Sequence, residues 1–382
     1  MFSLELDELQ EEIKSVARNF AREEILPTVI DRDRNAIFPK EIISKLGELG
    51  FMGMMVSEEY GGSEMDTLTY SMVIEEISKI DASVAVVMSV QNSLVNWILE
   101  NYGDEGQKQK YLAPLTSGEH IGSYCLSEPE AGSDARDQNT LAIRKGDKWI
   151  LNGTKNWITS AENASTLIVF AQTNHELKHK GITCFVLPAD TKGVEIGLKE
   201  DKMGLRSSDT CEVGLNDVEL DDSNQIGEVG EGFYIAMNGL TGGRIGIASQ
   251  ALGISQGALD LALKYSSERK TMGTEIYNHQ AIQFKLAQMS MKISAARALV
   301  QKAAWLRDQN MDCNRESSEA KLFASTVANE ITREAVQIHG GYGYVREYHV
   351  ERMMRDAKVT EIYEGTSEIQ HIVIARDLIK KM

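Results

Sequence analysis

The chain has little of what would tie it to an oxidising compartment, a nucleic acid or a membrane. Only four of its 382 residues are cysteine (Cys125, Cys184, Cys211 and Cys313), and no two form a Cys-x-x-Cys pair. So spaced, they suggest no disulfide framework, and a reduced, intracellular protein is expected. Proline is scarce, with five residues against sixteen methionines, which suits a large adaptable core rather than a stapled secreted one. Positive charge is in deficit: the net charge is -17. A surface so acidic argues against nucleic acid and anionic membrane as partners, though a local basic patch for a phosphorylated ligand is compatible with it.

Long apolar runs are missing too. The greasiest stretch, Val84-Ala85-Val86-Val87-Met88-Ser89-Val90, runs into Gln91-Asn92-Ser93 and reads as too short and too interrupted to span a bilayer. Residues 1–8 have neither the basic region nor the apolar core of a signal peptide, and are too acidic for a mitochondrial transit peptide. The expected location is a bacterial cytoplasm, with a processed mitochondrial matrix protein as the alternative. Nor does any Gly-x-Gly-x-x-Gly follow a strand, which argues against a nicotinamide-binding fold.

What is present falls into three zones. Residues 1–118 read as helices. Leu9, Ile13, Val16, Phe20 and Ile25 recur at helical spacing, a helix starts at Phe38-Pro39, and two more cover 67–80 and 83–102. Residues 119–225 read as β. A Gly146-Asp147 turn separates β-prone runs, and 166–171 and 182–187 are short apolar strands. A small antiparallel barrel or sandwich is expected there. In residues 226–382 helices return at 245–268, 280–309 and 317–339, with a last one after Glu368, as in an antiparallel four-helix bundle. The order makes this an α+β multidomain chain, not an alternating doubly wound one.

Six short segments carry chemical potential. His175-Glu176-Leu177-Lys178-His179 fits a zinc peptidase pattern, but it lies between two strands where the chemistry needs a helix, so a solvated hairpin loop is expected. Tyr124 to Asp134 runs from a strand into a Gly132-Ser133 turn whose free N–H groups suit phosphate or carbonyl oxygens, though taken alone it reads first as a plain loop exit. In Trp157-Ile158-Thr159, β alternation puts the indole and the hydroxyl on one face, able to pack on a flat heteroaromatic ring or simply to fill a core. Gln337-Ile338-His339-Gly340-Gly341 ends a helix and permits close approach of a diphosphate or adenosine, as well as a plain cap. Arg269 closes a long helix, where a guanidinium serves either a diphosphate or the helix dipole. Finally, Tyr363-Glu364-Gly365 sets a carboxylate between a ring and a glycine. Such a place raises a carboxylate pKa towards that of a useful base, though the tripeptide is also an ordinary helix-to-loop junction.

Taken in this order, and with Gly243-Arg244-Ile245-Gly246 and the run 200–208, these segments resemble the acyl-CoA dehydrogenase family of flavoproteins over the whole chain, nearest to its short-chain, butyryl-CoA type members. The resemblance implies three domains with FAD between the β domain and the bundle. It places Tyr124, Leu126, Ser127, Gly132 and Ser133 along the flavin and its linker. Trp157 and Ile158 would lie beside the isoalloxazine, and Thr159 near its N5. Arg269, Thr271, His279 and Gln280, with Gln337, Ile338, Gly340 and Gly341, would hold the diphosphate and adenosine, partly across subunits of a homotetramer (a dimer of dimers). Thr366, Ser367 and Glu368 would also touch FAD. Ser133, Thr241, Arg244, Tyr363 and Gly365 would line the acyl-CoA substrate. Glu364 matches the base that takes the proton next to the thioester carbonyl. That carbonyl would be polarised by a ribityl hydroxyl and the backbone N–H of the base. A second branch of the family carries its base at the position of Gly243, which has no side chain. Electrons would pass to an electron-transferring flavoprotein. Oxidases and monooxygenases on the same fold are the alternative, but they commonly lack the Tyr-Glu-Gly base, and a non-enzymatic scaffold would not need it. Two departures stand out. Thr241 replaces an aspartate that contacts the pantetheine, and Met272 replaces an aromatic and is expected to repack the adenosine pocket.

Overall fold

Aspartates start four helices of the first zone. Asp7, Asp66, Asp81 and Asp104 each accept a hydrogen bond from a backbone N–H of the first turn they cap, satisfying donors that the helix cannot. The computed structural model describes residues 6–382, so the reading of residues 1–5 lies outside it. The helices are α1 (Glu8–Phe20), α2 (Val29–Asn35), α3 (Lys40–Glu48), α4 (Thr67–Ser78), α5 (Ala82–Val90), α6 (Trp97–Tyr102) and α7 (Glu105–Thr116). The face expected of α1 is met at Ile13, Phe20 and Ile25, which pack into the core, but not throughout. Leu9 and Val16 are exposed, while Ala17, Ala21 and Ile25 are buried. Two alanines let α1 approach α4 closely, and a π turn at Ala21–Ile25 shifts the register.

A second π turn, Gln91–Asn96, joins α5 to α6. The resulting stretch Ala82–Tyr102 is long and apolar enough to cross a membrane, which corrects the expectation that its polar residues break it. It is instead the core helix of the chain, 94% buried across its apolar stretch. Its polar side chains donate inside: Asn92 to the Phe51 carbonyl (2.9 Å), Asn96 to that of Met52 (2.8 Å) and Gln91 to that of Leu115 (2.9 Å), while the Asn96 side-chain oxygen is left without a partner.

The middle zone is a sheet of β1 (Gly122–Cys125), β2 (Leu141–Lys145), β3 (Lys148–Thr159), β4 (Thr166–Gln172), β5 (Ile182–Pro188), β6 (Val194–Ile196), β7 (Thr210–Leu220) and β8 (Gln225–Ile226). Its order is β6-β7-β3-β2-β4-β5-β8, with β1 beside β4. The expected antiparallel sheet is in fact mixed. β1 pairs with β4 in parallel, and β2 meets β4 in parallel at Leu141 and Gln172. The loop 126–140 leaves the sheet and returns to the same edge: β1 lies beside Thr166–Val169, β2 begins opposite Gln172, and the other edge of β4 is taken by β5.

The last zone has α8 (Gly232–Glu268), the two-residue hairpin β9 (Lys270–Thr271) and β10 (Thr274–Glu275), then α9 (Gln280–Asp308), α10 (Asn314–His339), α11 (His349–Val359) and α12 (Ser367–Lys380). Two expectations are corrected. α11 was not foreseen, and α8 begins at Gly232 rather than Ile245. Its early turns hold Gly239, Gly242, Gly243 and Gly246, each costing about 1 kcal/mol of helix propensity. Close packing is the reason they are there: a Cβ at Gly246 would stand 2.4 Å from both the Tyr70 and Ser89 hydroxyl oxygens.

Candidate active site

The turn between α11 and α12 presents Glu364. Thr366 caps α12 by accepting from the Ile369 N–H. Ahead of it the chain doubles back through Glu364 (φ 54°) and Gly365 (φ 88°). Left-handed backbone is strained for a glutamate, so the surroundings must hold it. Gln370 donates to the carbonyls of Glu364 (3.1 Å) and Gly365 (2.8 Å), and the Lys321 ammonium donates to the Gly365 carbonyl (2.7 Å). The carboxylate is thereby laid against the bare backbone of α8. A Cβ on Gly243 would lie 2.5 Å from Glu364 Oε2. That oxygen is buried and has no hydrogen-bond partner. Burial pushes the Glu364 pKa up to about 7, against the opposing pull of Arg244 and then Lys321.

Around this acid, Arg244 is buried on α8. Its Nη1 donates to Asn314 (2.7 Å) and its Nε has no partner. The Tyr363 hydroxyl donates to Gln250, and that of Tyr124 to the Ala236 carbonyl (3.3 Å). Thr241 turns its hydroxyl back onto its own helix, donating to the Met237 carbonyl (3.1 Å). It therefore does not reproduce an acceptor-only aspartate.

On the sheet side, β3 is bulged between Lys155 and Ile158, and Trp157 takes φ 62°. The bulge keeps Trp157 (60% exposed) and the partly exposed Thr159 outward while Ile158 packs inward. The loop 126–140 is fixed by a clamp that sequence reasoning missed. Buried Lys155 donates to Glu128 (2.8 Å), Gln138 (3.2 Å) and the Leu126 carbonyl (3.2 Å), and Glu128 accepts from the N–H groups of Asn139 and Thr140. Leu126 is buried; Ser127, Gly132 and Ser133 lie at the surface or partly so.

A third group gathers where α8 and α10 end. The Arg269 guanidinium lies 5.9 Å from the Tyr342 ring, and Thr271 and His279 share a hydrogen bond (3.1 Å). Gln280, Gln337, Gly340 and Gly341 are exposed beside them, and Ile338 is in the core. Ser367 is partly buried and Glu368 exposed at the start of α12. No hydrogen bond joins the Arg269 group to Glu364.

Three sequence families match the chain in succession: acyl-CoA dehydrogenase N-terminal domain over residues 7–119, middle domain over 123–218 and C-terminal domain over 230–379. The chain belongs to the acyl-CoA dehydrogenase family. It is 47% identical over 378 residues to the mouse (Mus musculus) short-chain specific acyl-CoA dehydrogenase, covering 99% of this chain and 92% of the relative. Its fold matches butyryl-CoA dehydrogenase from Megasphaera elsdenii with a TM-score of 0.97 at 44% identity, over 99% of this chain and 100% of that one. A chain solved in work on the electron-transferring flavoprotein of Acidaminococcus fermentans matches with a TM-score of 0.98 at 46% identity, again over 99% and 100%.

Acyl-CoA dehydrogenases use FAD, and the side chains here suit it. Trp157 offers an exposed flat indole. A Cβ at Gly132, Gly340 or Gly341 would meet open space, so a ligand can reach the backbone. Arg269 supplies an exposed cation for a diphosphate. Two of the segments weighed in the sequence take definite shapes in this acyl-CoA dehydrogenase. Met272 is 97% exposed with φ 51°, in the turn between β9 and β10. His175 and His179 do not share a helical turn. The segment His175–Gly181 is a 3-10 helix kinked at Lys178 (φ 53°, ψ -128°), so the zinc geometry is not formed. Sequence reasoning also missed Lys321, Gln370 and Tyr70. The available signal was a lysine on a face of small residues, Ser317, Ala320, Ala324 and Ala328.

Proposed function

We propose that this enzyme oxidises a short-chain acyl-CoA to the trans-2-enoyl-CoA, with Glu364 as the base that removes the proton next to the thioester carbonyl. The observation that carries this reading is the unpartnered Glu364 oxygen. It is buried against Gly243, with a pKa near 7. A buried acceptor left unsatisfied waits for a ligand to complete it. A base near neutrality combines a large ionised fraction with useful basicity.

The chain's own groups then divide the work. Tyr363 is held by Gln250 and walls the acid on one side, while Tyr124 closes the sheet side. Among the described residues the Glu364 N–H donates to no group, which leaves it for the thioester oxygen, where negative charge develops. FAD, when bound, supplies the hydride acceptor. Trp157, Ile158 and Thr159 would flank its ring, Leu126, Ser127, Gly132 and Ser133 its linker side, and Arg269, Thr271, His279, Gln280, Gln337, Ile338, Gly340 and Gly341 its diphosphate and adenosine, with Thr366, Ser367 and Glu368 nearby. The exposure of Arg269, Gly340 and Met272 in one chain supports a homotetramer in which a neighbour completes that end. Ser133, Thr241, Arg244 and Gly365 would line the substrate. An electron-transferring flavoprotein is the proposed acceptor, the cytoplasm the proposed location, and fatty acid β-oxidation the proposed setting.

Glu364→Gln tests the reading. The variant is expected to stay yellow and to lose at least about a hundredfold in turnover of butyryl-CoA, the lower end for removing a general base. Near-normal turnover refutes the role.

A further inference from the structure

Lys321 is one of the largest fully buried side chains in the molecule. A buried ammonium normally faces a carboxylate, because an isolated one costs several kcal/mol. Among the described residues none lies within ion-pairing distance of Lys321, and its hydrogen bond goes to a neutral carbonyl, that of Gly365. That carbonyl belongs to the residue after the base. The same turn is gripped from the other side by Gln370, which is also buried. Two donors from α10 and α12 thus converge on one strained turn.

We infer that Lys321 is a positioning residue for Glu364: it locks the Glu364-Gly365 turn through the Gly365 carbonyl and uses the base itself as its electrostatic counterpart. The inference rests on Glu364 being the base. The charged and titratable groups around the acid are few. Arg244 faces it from α8, Lys321 from α10, Tyr124 from β1 and Tyr70 from α4, with Tyr363 alongside. Around Lys321 stand Glu364, Arg244, Glu361 and Glu368. Burial lowers the Lys321 pKa to about 8, and Glu364 is the foremost group opposing that fall. Below about pH 8 the ammonium therefore favours the carboxylate form of Glu364. Above it the two groups decouple.

The experiment compares holoenzyme carrying Lys321→Met, Lys321→Gln and Lys321→Arg. Two quantities are read: kcat/KM for butyryl-CoA between pH 5.5 and 9, and the ionisation midpoint of Glu364 by isotope-edited infrared spectroscopy without substrate. In the Met and Gln variants the midpoint is expected to rise by about one pH unit or more. The acid limb of kcat/KM should move with it, giving about a tenfold loss at pH 6.5 that closes above pH 8. Lys321→Arg should stay near wild type. An unmoved midpoint in a folded, yellow Met or Gln variant overturns the inference, and so does a loss equal at every pH. Gln keeps a donor for Gly365, so it carries the comparison if Met does not fold. Failure of the base reading appears separately, as turnover surviving in Glu364→Gln, and leaves the infrared test of Lys321 intact.

Discussion

Among the described residues two lysines are wholly buried, and they are buried in opposite ways. Lys155, on β3, faces Glu128 at 2.8 Å and is wrapped by two further acceptors. Lys321, on α10, has a backbone carbonyl and no carboxylate within reach, while its electrostatic neighbour is the acid at the centre of the site. The first fixes a loop; the second leans on the carboxyl proposed as the base. A buried charge matched inside the protein stabilises shape. A buried charge left half-matched marks where the matching partner has another task.

Breaking the two lysines separately sharpens the contrast. Lys155→Met leaves Glu128 buried without its cation, so a loss of about 3–5 kcal/mol is expected in denaturant unfolding, with weakened flavin retention. Adding Glu128→Gln, which removes the stranded charge and keeps an acceptor for the Asn139 or Thr140 N–H, should recover part of it. Lys321→Met strands no carboxylate, and Gln370 still serves the Gly365 carbonyl. Its stability should stay within about 1 kcal/mol of wild type. Equal losses in the two single variants would erase the distinction.

Stability against pH gives a second break. The Glu364 carboxyl rises from 4.5 to about 7 on folding, so the folded state holds the proton more tightly than the unfolded one. Its contribution is favourable below about pH 4.5 and is lost as pH rises through about 7. At about 1.4 kcal/mol per pH unit, ionising it in the folded protein costs about 3 kcal/mol. Glu364→Gln does not titrate. The stability of the variant minus that of wild type should therefore climb by up to about 3 kcal/mol between pH 4.5 and 7, then level off. A flat difference would mean that the acid is not desolvated.

Much of this was legible in the residues. The helix, sheet, helix order followed from periodicity, whereas Glu364 stood out only weakly from its neighbours and was singled out by the family resemblance. What was not legible has physical causes. α8 hides its first turns behind four glycines, whose low propensity is outweighed by close contacts with residues far away in sequence. α11 is the exception: Val350, Met353 and Ala357 recur at i, i+3 and i+7, a helical period that could have been read despite the buried charges of Arg352 and Asp356. The parallel pairing of β1 with β4 leaves no local pattern. Lys155 and Lys321 act through partners 27 and 44 residues away, so spacing alone cannot find them.

The smallest expected change in stability is the one that should say most about the site. A Cβ at Gly243 would fall 2.5 Å from Glu364 Oε2, and the atom it meets is the far end of a flexible side chain. The carboxylate can swing aside, so Gly243→Ala should cost about 1 kcal/mol or less in unfolding, the low end for overpacking, with alanine's better helix propensity offsetting part of it. Chemistry has no such slack. Moving a base by about 1 Å can cost about a hundredfold in rate. Gly243→Ala should therefore melt like wild type, keep its flavin and lose between about tenfold and a hundredfold in turnover, chiefly in kcat. This is the reverse of Lys155→Met, whose damage is to the fold first. Full turnover in Gly243→Ala would mean that the carboxylate reaches the substrate from elsewhere than the bare face of α8.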